Sequence, residues 1–125
     1  MKKVWILEKF ATAEEQAKSY EDLNEMVESV KNNNEMTDEQ IAQLEQAVDN
    51  YKKVMDENPN GHWYGFEGKT NYKQFCDVAK AAIRRNYGAT FRVVEGEIED
   101  DAKYWSGYKI VKVNSGVLRY LMATI

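Results

Sequence analysis

Along this chain the apolar positions change period several times, and each change marks the boundary of an element. Val4, Ile6 and Phe10 alternate loosely with Trp5 and Leu7, so residues 3–10 read as a strand covered at least partly on both faces. The period then lengthens: Tyr20, Leu23, Val27 and Val30 fall at helical spacing behind a capping pair, Thr12 and Glu15, which predicts a helix over 13–31. "KNNNEM" breaks it. Thr37 with Gln40 forms a second capping box, and Met36 just ahead of it is placed to staple onto Ile41. Ile41, Leu44, Val48, Tyr51 and Met55 then repeat at alternating spacings of three and four, the narrow seam of a coiled coil. At 1.5 Å per residue each helix is roughly 30 Å long, and a short polar turn makes them an antiparallel hairpin over 11–58.

"ENPNG" ends the hairpin, because proline blocks helix continuation and Asn-Gly favours a turn. An aromatic loop follows, "HWYGFEGKTNYKQF" over 62–75, inside which Thr70 is positioned to cap a third helix. Tyr72, Phe75, Cys76, Ala79, Ala82 and Ile83 give that helix one apolar face, and Gly88 stops it. Three strands are expected next, over 89–98, 104–113 and 117–124, with "EDDAK" and "NSG" as the intervening turns. The expected fold is therefore α+β in the order β-α-α-α-β-β-β: an antiparallel three-stranded meander, joined by the N-terminal strand and packed on the third helix. A chain of 125 residues suits one domain, 1–125, with the hairpin inside it.

Composition narrows the setting. Cys76 is the only cysteine, so an intrachain disulfide is excluded and no Cys/His pattern resembles a zinc site. In "MKKVWILEKF" the apolar run stops at Leu7 and meets Glu8 and Lys9 at once, which is not the pattern of a secretory signal, and no apolar run approaches the length of a membrane span. A soluble cytoplasmic protein, without membrane association, cofactor or metal, is the expectation.

The net charge of −4 conceals a strong asymmetry. Residues 11–60 carry thirteen acids against four lysines, a balance of −9, so the remainder carries +5. Such a division speaks to partners more than to fold.

Three motifs invite chemistry. "GKT" at 68–70 suggests a phosphate loop, yet position 63, where such a loop needs its first glycine, is Trp63, and the segment before it reads as helix. A turn followed by a helix cap is the simpler reading, with Lys69 and the first N–H groups of helix three able to hold a single phosphate or carboxylate. The aromatic stretch, followed by Lys69, Lys73, Lys80, Arg84, Arg85 and Arg92, offers a stacking platform for a nucleotide or single-stranded nucleic acid, against the plainer role of sealing a core. His62 is the sole histidine and the only side chain with an ordinary pKa near neutrality, but no nucleophile motif accompanies it. Cys76, on an apolar helix face, reads as a small hydrophobe. Glu95, Glu97, Glu99, Asp100 and Asp101 lack calcium-loop spacing and read as a solvated tip.

The acidic hairpin carries the leading expectation: a non-enzymatic protein-binding inhibitor or regulator that uses Glu21, Glu25, Glu28, Asp38, Glu45 and Asp49 against a basic site on a host protein. Few leucines, one proline and many Lys, Asn, Glu and Tyr resemble the composition of AT-rich bacterial or phage genomes, and compact acidic α+β proteins of this size are frequent among phage-encoded inhibitors. An ordinary solvated hairpin, or a seam completed by a second copy in a homodimer, is the bland alternative. The competing function is a small nucleotide or single-stranded nucleic-acid binder using Trp63, Tyr64, Phe66, Lys69, Arg84 and Arg85.

Overall fold

A computed structural model describes residues 1–33 and 36–125. Asn34 and Glu35, which belong to the polar turn expected between the first two helices and to its acidic charge, lie outside the described residues. The elements are β1 (Lys2–Thr12), α1 (Ala13–Asn33), α2 (Asp38–Glu57), β2 (Gly61–Lys69), α3 (Tyr72–Arg85), β3 (Phe91–Ile98), β4 (Lys109–Val113) and α4 (Ser115–Ala123). The chain forms two compact units, one of Met1–Phe10 with Trp63–Ile125 and the other of Ala11–His62. The α+β class is as expected, while three elements differ from the sequence reading.

The first difference is β2. The aromatic stretch pairs into the sheet as a strand, giving the order β2-β1-β3-β4. Aromatic side chains favour the pleated surface, but Gly61, Gly65 and Gly68 dilute that preference. Two of these glycines are required by a ring: a Cβ on Gly65 would sit 2.5 Å from Trp105 Cζ3, and one on Gly68 would sit 2.6 Å from Trp105 Cγ. The second difference is β4, which begins only at Lys109, because residues 99–108 fold as a loop that places Trp105 and Tyr108 against the sheet. The third is the C-terminus, where the strand expected over 117–124 is α4. Asn114, read as part of a hairpin turn, instead caps the helix, its Oδ1 accepting the Val117 N–H at 3.1 Å, and Val117, Leu118 and Leu121 share the face that packs inward.

Alternation along β1 divides the first unit into two cores. Trp5 and Leu7 face α3 and α4, where Phe75, Cys76, Ala79, Ala82, Ile83, Phe91, Val93 and Leu121 are buried. Val4 and Ile6 point the other way and meet Val94, Ile98, Ala102, Trp105 and Tyr108. The antiparallel β1–β3 register, Leu7 opposite Val93 and Ile6 opposite Val94, holds both faces in step. α3 is capped one residue later than expected: the Asn71 side chain, not that of Thr70, accepts the Gln74 N–H at 2.9 Å.

The second unit is the helical hairpin. Thr37 and Gln40 form the expected reciprocal capping box, at 3.2 Å and 3.0 Å. Gln16 Nε2 donates to the Asn58 carbonyl at 3.0 Å, joining the start of α1 to the end of α2, while Lys31 pairs with Glu45 at 3.7 Å, so the helices run antiparallel. Val27 and Val48 are the apolar residues buried along this seam, with Leu23, Ile41, Leu44 and Tyr51 half-buried.

Gln16 is 2% exposed, and its amide orientation follows from its partners. Because Nε2 donates to Asn58, Oε1 faces His62 Nδ1, which must therefore carry the proton it donates. Burial lowers the His62 pKa from its ordinary 6.5, since the charged ring is the form that loses solvation. A histidine lowered on folding binds fewer protons in the folded state, so its contribution to stability is full above pH 6.5 and is lost as the pH falls below that value. Urea midpoints should accordingly fall between about pH 7 and about pH 5.5, and H62Q should flatten that interval. An unchanged slope in the variant would assign the acid sensitivity to other groups.

Among the described residues no helix is long and apolar enough to cross a membrane.

Candidate functional site

The acidic residues singled out in the sequence occupy two stripes. Glu21, Glu25 and Glu28, spaced by four and three, share one face of α1, and Asp38, Glu45 and Asp49, spaced by seven and four, share one face of α2. All six are solvent-exposed. Helix pairing brings part of each stripe to one groove of about 250 Å³, lined by Tyr20, Asn24, Glu28, Lys31, Glu45 and Asp49. The α1 stripe continues beside it, where Tyr20, Glu21, Asn24, Glu25 and Glu28 border a shallow concavity. Five of the six residues thus form one acidic surface around Tyr20. Asp38 is the exception; it lies in the first turn of α2, where a carboxylate complements the helix dipole.

This surface carries more acid than base. Among the described residues Lys31 is the only base lining the groove, and it is already paired with Glu45. Glu21 and Glu25 are like charges four residues apart, an arrangement that costs a helix about 0.3 kcal/mol. The result is a negative strip on two rigid helices, suited to attracting a basic partner and to losing that attraction as salt screens it.

The aromatic residues of the competing reading do not make one platform. Phe66 packs against Phe91 with ring centroids 5.9 Å apart, on the face covered by α3, and Phe75 is fully buried there. Trp63 sits against Phe10 at 5.1 Å, and the Arg92 guanidinium lies 4.5 Å from its ring, so its face is already occupied by a cation. Tyr64 meets Phe66 edge-on at 6.3 Å. Lys69 is exposed at the end of β2, whereas Arg84 and Arg85 are exposed in the last turn of α3. β-strand alternation, which a loop reading does not anticipate, is what separates these rings.

Sequence reasoning missed a buried polar cluster in the first unit. Glu8 is 3% exposed and stands directly opposite Arg92 in the β1–β3 ladder. Arg92 Nε donates to Glu8 Oε1 at 2.6 Å, and the Tyr108 hydroxyl donates to Glu8 Oε2. Burial and the neighbouring carboxylate both push the Tyr108 phenol upward from its ordinary pKa. The one signal available in the sequence was a carboxylate at an inward-alternating strand position, since Glu8 shares the parity of Val4 and Ile6. Both carboxylate oxygens are engaged, so the cluster fastens the 99–108 loop to the sheet.

Other charged and reactive groups are similarly committed. Glu95 accepts from Lys3 and from Asn114 Nδ2 at 2.8 Å and forms an ion pair with Lys112 at 3.6 Å, and the Lys3 ammonium is the main cause of its lowered pKa. Asp100 pairs with the N-terminal ammonium at 3.1 Å. Cys76 is a free, buried thiol in the α3 core. Among the described residues no three His, Cys, Asp or Glu side chains are grouped to hold a metal ion. No family model, curated protein or solved structure matches the chain.

Proposed function

We propose that this is a non-enzymatic binding protein, an inhibitor or regulator of the kind phages encode, that docks the acidic surface of its helical hairpin on a basic site of a host protein in the cytoplasm. The observation that carries this reading is the convergence of Glu28 from α1 with Glu45 and Asp49 from α2 on one groove, flanked by Glu21 and Glu25. Tyr20, at the centre, supplies an aromatic anchor of the type that dominates interface energetics, while the carboxylates around it set orientation and association rate. The division of the aromatic residues between two sheet faces weighs against a single-stranded nucleic-acid platform.

The test is capture from nuclease-treated host lysate at low and high salt, comparing the wild-type protein with the triple reversal E28K/E45K/D49K. All three side chains are exposed and the one ion pair they make among the described residues is a surface one, so circular dichroism should be unchanged. A partner with a basic surface should be retained by the wild type at low salt, released at high salt, and bound at least tenfold more weakly by the variant. Equal retention of every captured protein by the two forms would remove the acidic surface from consideration.

A further inference from the structure

The first unit contains a site of opposite charge, and it answers the question raised by "GKT". Gly68, Lys69 and Thr70 leave the end of β2 next to Lys2 of β1, and the 99–108 loop turns back over the same end of the sheet. Between them lies a cavity of about 410 Å³. Lys2, Lys69 and Lys103 line it against one carboxylate, Glu67, in a protein whose net charge is −4.

The lysines differ in commitment. Lys2 Nζ donates to the Ala102 carbonyl at 3.3 Å and holds the loop in place. Lys69 and Lys103 are exposed, and among the described residues neither has a carboxylate within ion-pair distance. Thr70, which lines the cavity, is released from capping because Asn71 performs it. The wall is Trp105, seated over Gly68, and Tyr104 stands at the rim with 78% exposure. Two lysines without an ion-pair partner among the described residues and a threonine thus line one cavity beside an exposed aromatic ring.

We infer that this cavity binds a nucleotide-sized phosphate ester, its phosphates held by Lys69, Lys103 and Thr70 and its ring resting on Tyr104. Several ammonium donors at one mouth match an anion of more than one charge, which points to phosphate ahead of a single carboxylate. The volume lies within the range of small-ligand sites and far exceeds what inorganic phosphate would fill. A large exposed ring beside the charges favours a ligand that carries a base. The site uses side chains and not a backbone cradle, so the missing glycine of the phosphate-loop motif has no bearing on it.

Calorimetry on the full chain with ATP, pyrophosphate and adenosine tests the assignment. ATP should bind with a submillimolar Kd that weakens with salt, pyrophosphate more weakly, and adenosine not measurably. K69A/K103A should weaken ATP at least tenfold without changing the melting temperature, since both side chains are exposed. Y104A should reduce ATP affinity and leave pyrophosphate unchanged. Absence of ATP binding at millimolar concentration, undiminished binding by K69A/K103A, or equal affinity for pyrophosphate and ATP would each overturn the nucleotide assignment. The hairpin reversal E28K/E45K/D49K should bind ATP as the wild type does, which keeps this site and the acidic surface separately testable.

Discussion

Replacing Glu8 with alanine is expected to lower the unfolding free energy by about 3 kcal/mol, the range found when one partner of a buried ion pair is removed, reduced here because Arg92 keeps some access to solvent. The loss has two parts. The Arg92 guanidinium gives up a charge-assisted bond of 2.6 Å, and the Tyr108 hydroxyl, in a desolvated position, gives up its acceptor. Y108F should cost less, because it removes a donor while Glu8 keeps its charged partner. Urea denaturation of E8A, R92A and the double variant provides the measurement: the double variant should be less destabilised than the sum of the singles, since the same pair is broken in each. Strict additivity, or a cost for E8A below about 1 kcal/mol, would show that the Glu8–Arg92 pair contributes little to stability.

G68A is expected to cost about 2 kcal/mol, the middle of the range for overpacking a filled core. The added methyl would lie 2.6 Å from Ile6 Cδ1 and from Trp105 Cγ, and 2.8 Å from Trp105 Cδ2. Ile6 is able to turn its terminal methyl aside, whereas the root of an indole ring moves only with its backbone, so the loop carrying Trp105 has to shift. Tryptophan emission of the native variant should therefore move to longer wavelength, reporting an indole returned to water. Gly116 supplies the control: its nearest neighbour would be Asn114 Oδ1 at 3.5 Å, so G116A, in the first turn of α4, should be neutral or slightly stabilising. Unperturbed stability and emission in G68A would mean that Trp105 does not close the cavity wall in solution.

These two substitutions mark where reading the sequence reached its limit. Glycine in "EGKT" carries a chemical suggestion when taken with its neighbours, but its physical role is set by a tryptophan thirty-seven residues further on. Glu8 likewise looks like a charge ending an apolar run, until the β1–β3 register places Arg92 opposite it. The C-terminal element failed for a local reason: Asn114 suits both a hairpin turn and a helix cap, and Val117 and Leu121, four residues apart, share a face in a strand and in a helix alike.

Features whose causes lie within a few residues were legible in the chain itself. The capping box at Thr37 and Gln40, the seam through Val48, the apolar face of α3 and the acidic stripes at spacings of three, four and seven depend only on helix period and on side chains reaching their own backbone. Tertiary structure decided the rest. Whether the aromatic residues formed one platform or were divided between two faces depended on β2 joining the sheet. The meeting of Glu28 with Glu45 and Asp49 depended on antiparallel helix pairing, and that of Lys2 with Lys69 and Lys103 on strands brought together from distant parts of the chain. Periodicity assigns a residue to a face; only long-range pairing, set by the burial of both sheet faces at once, determines which faces meet.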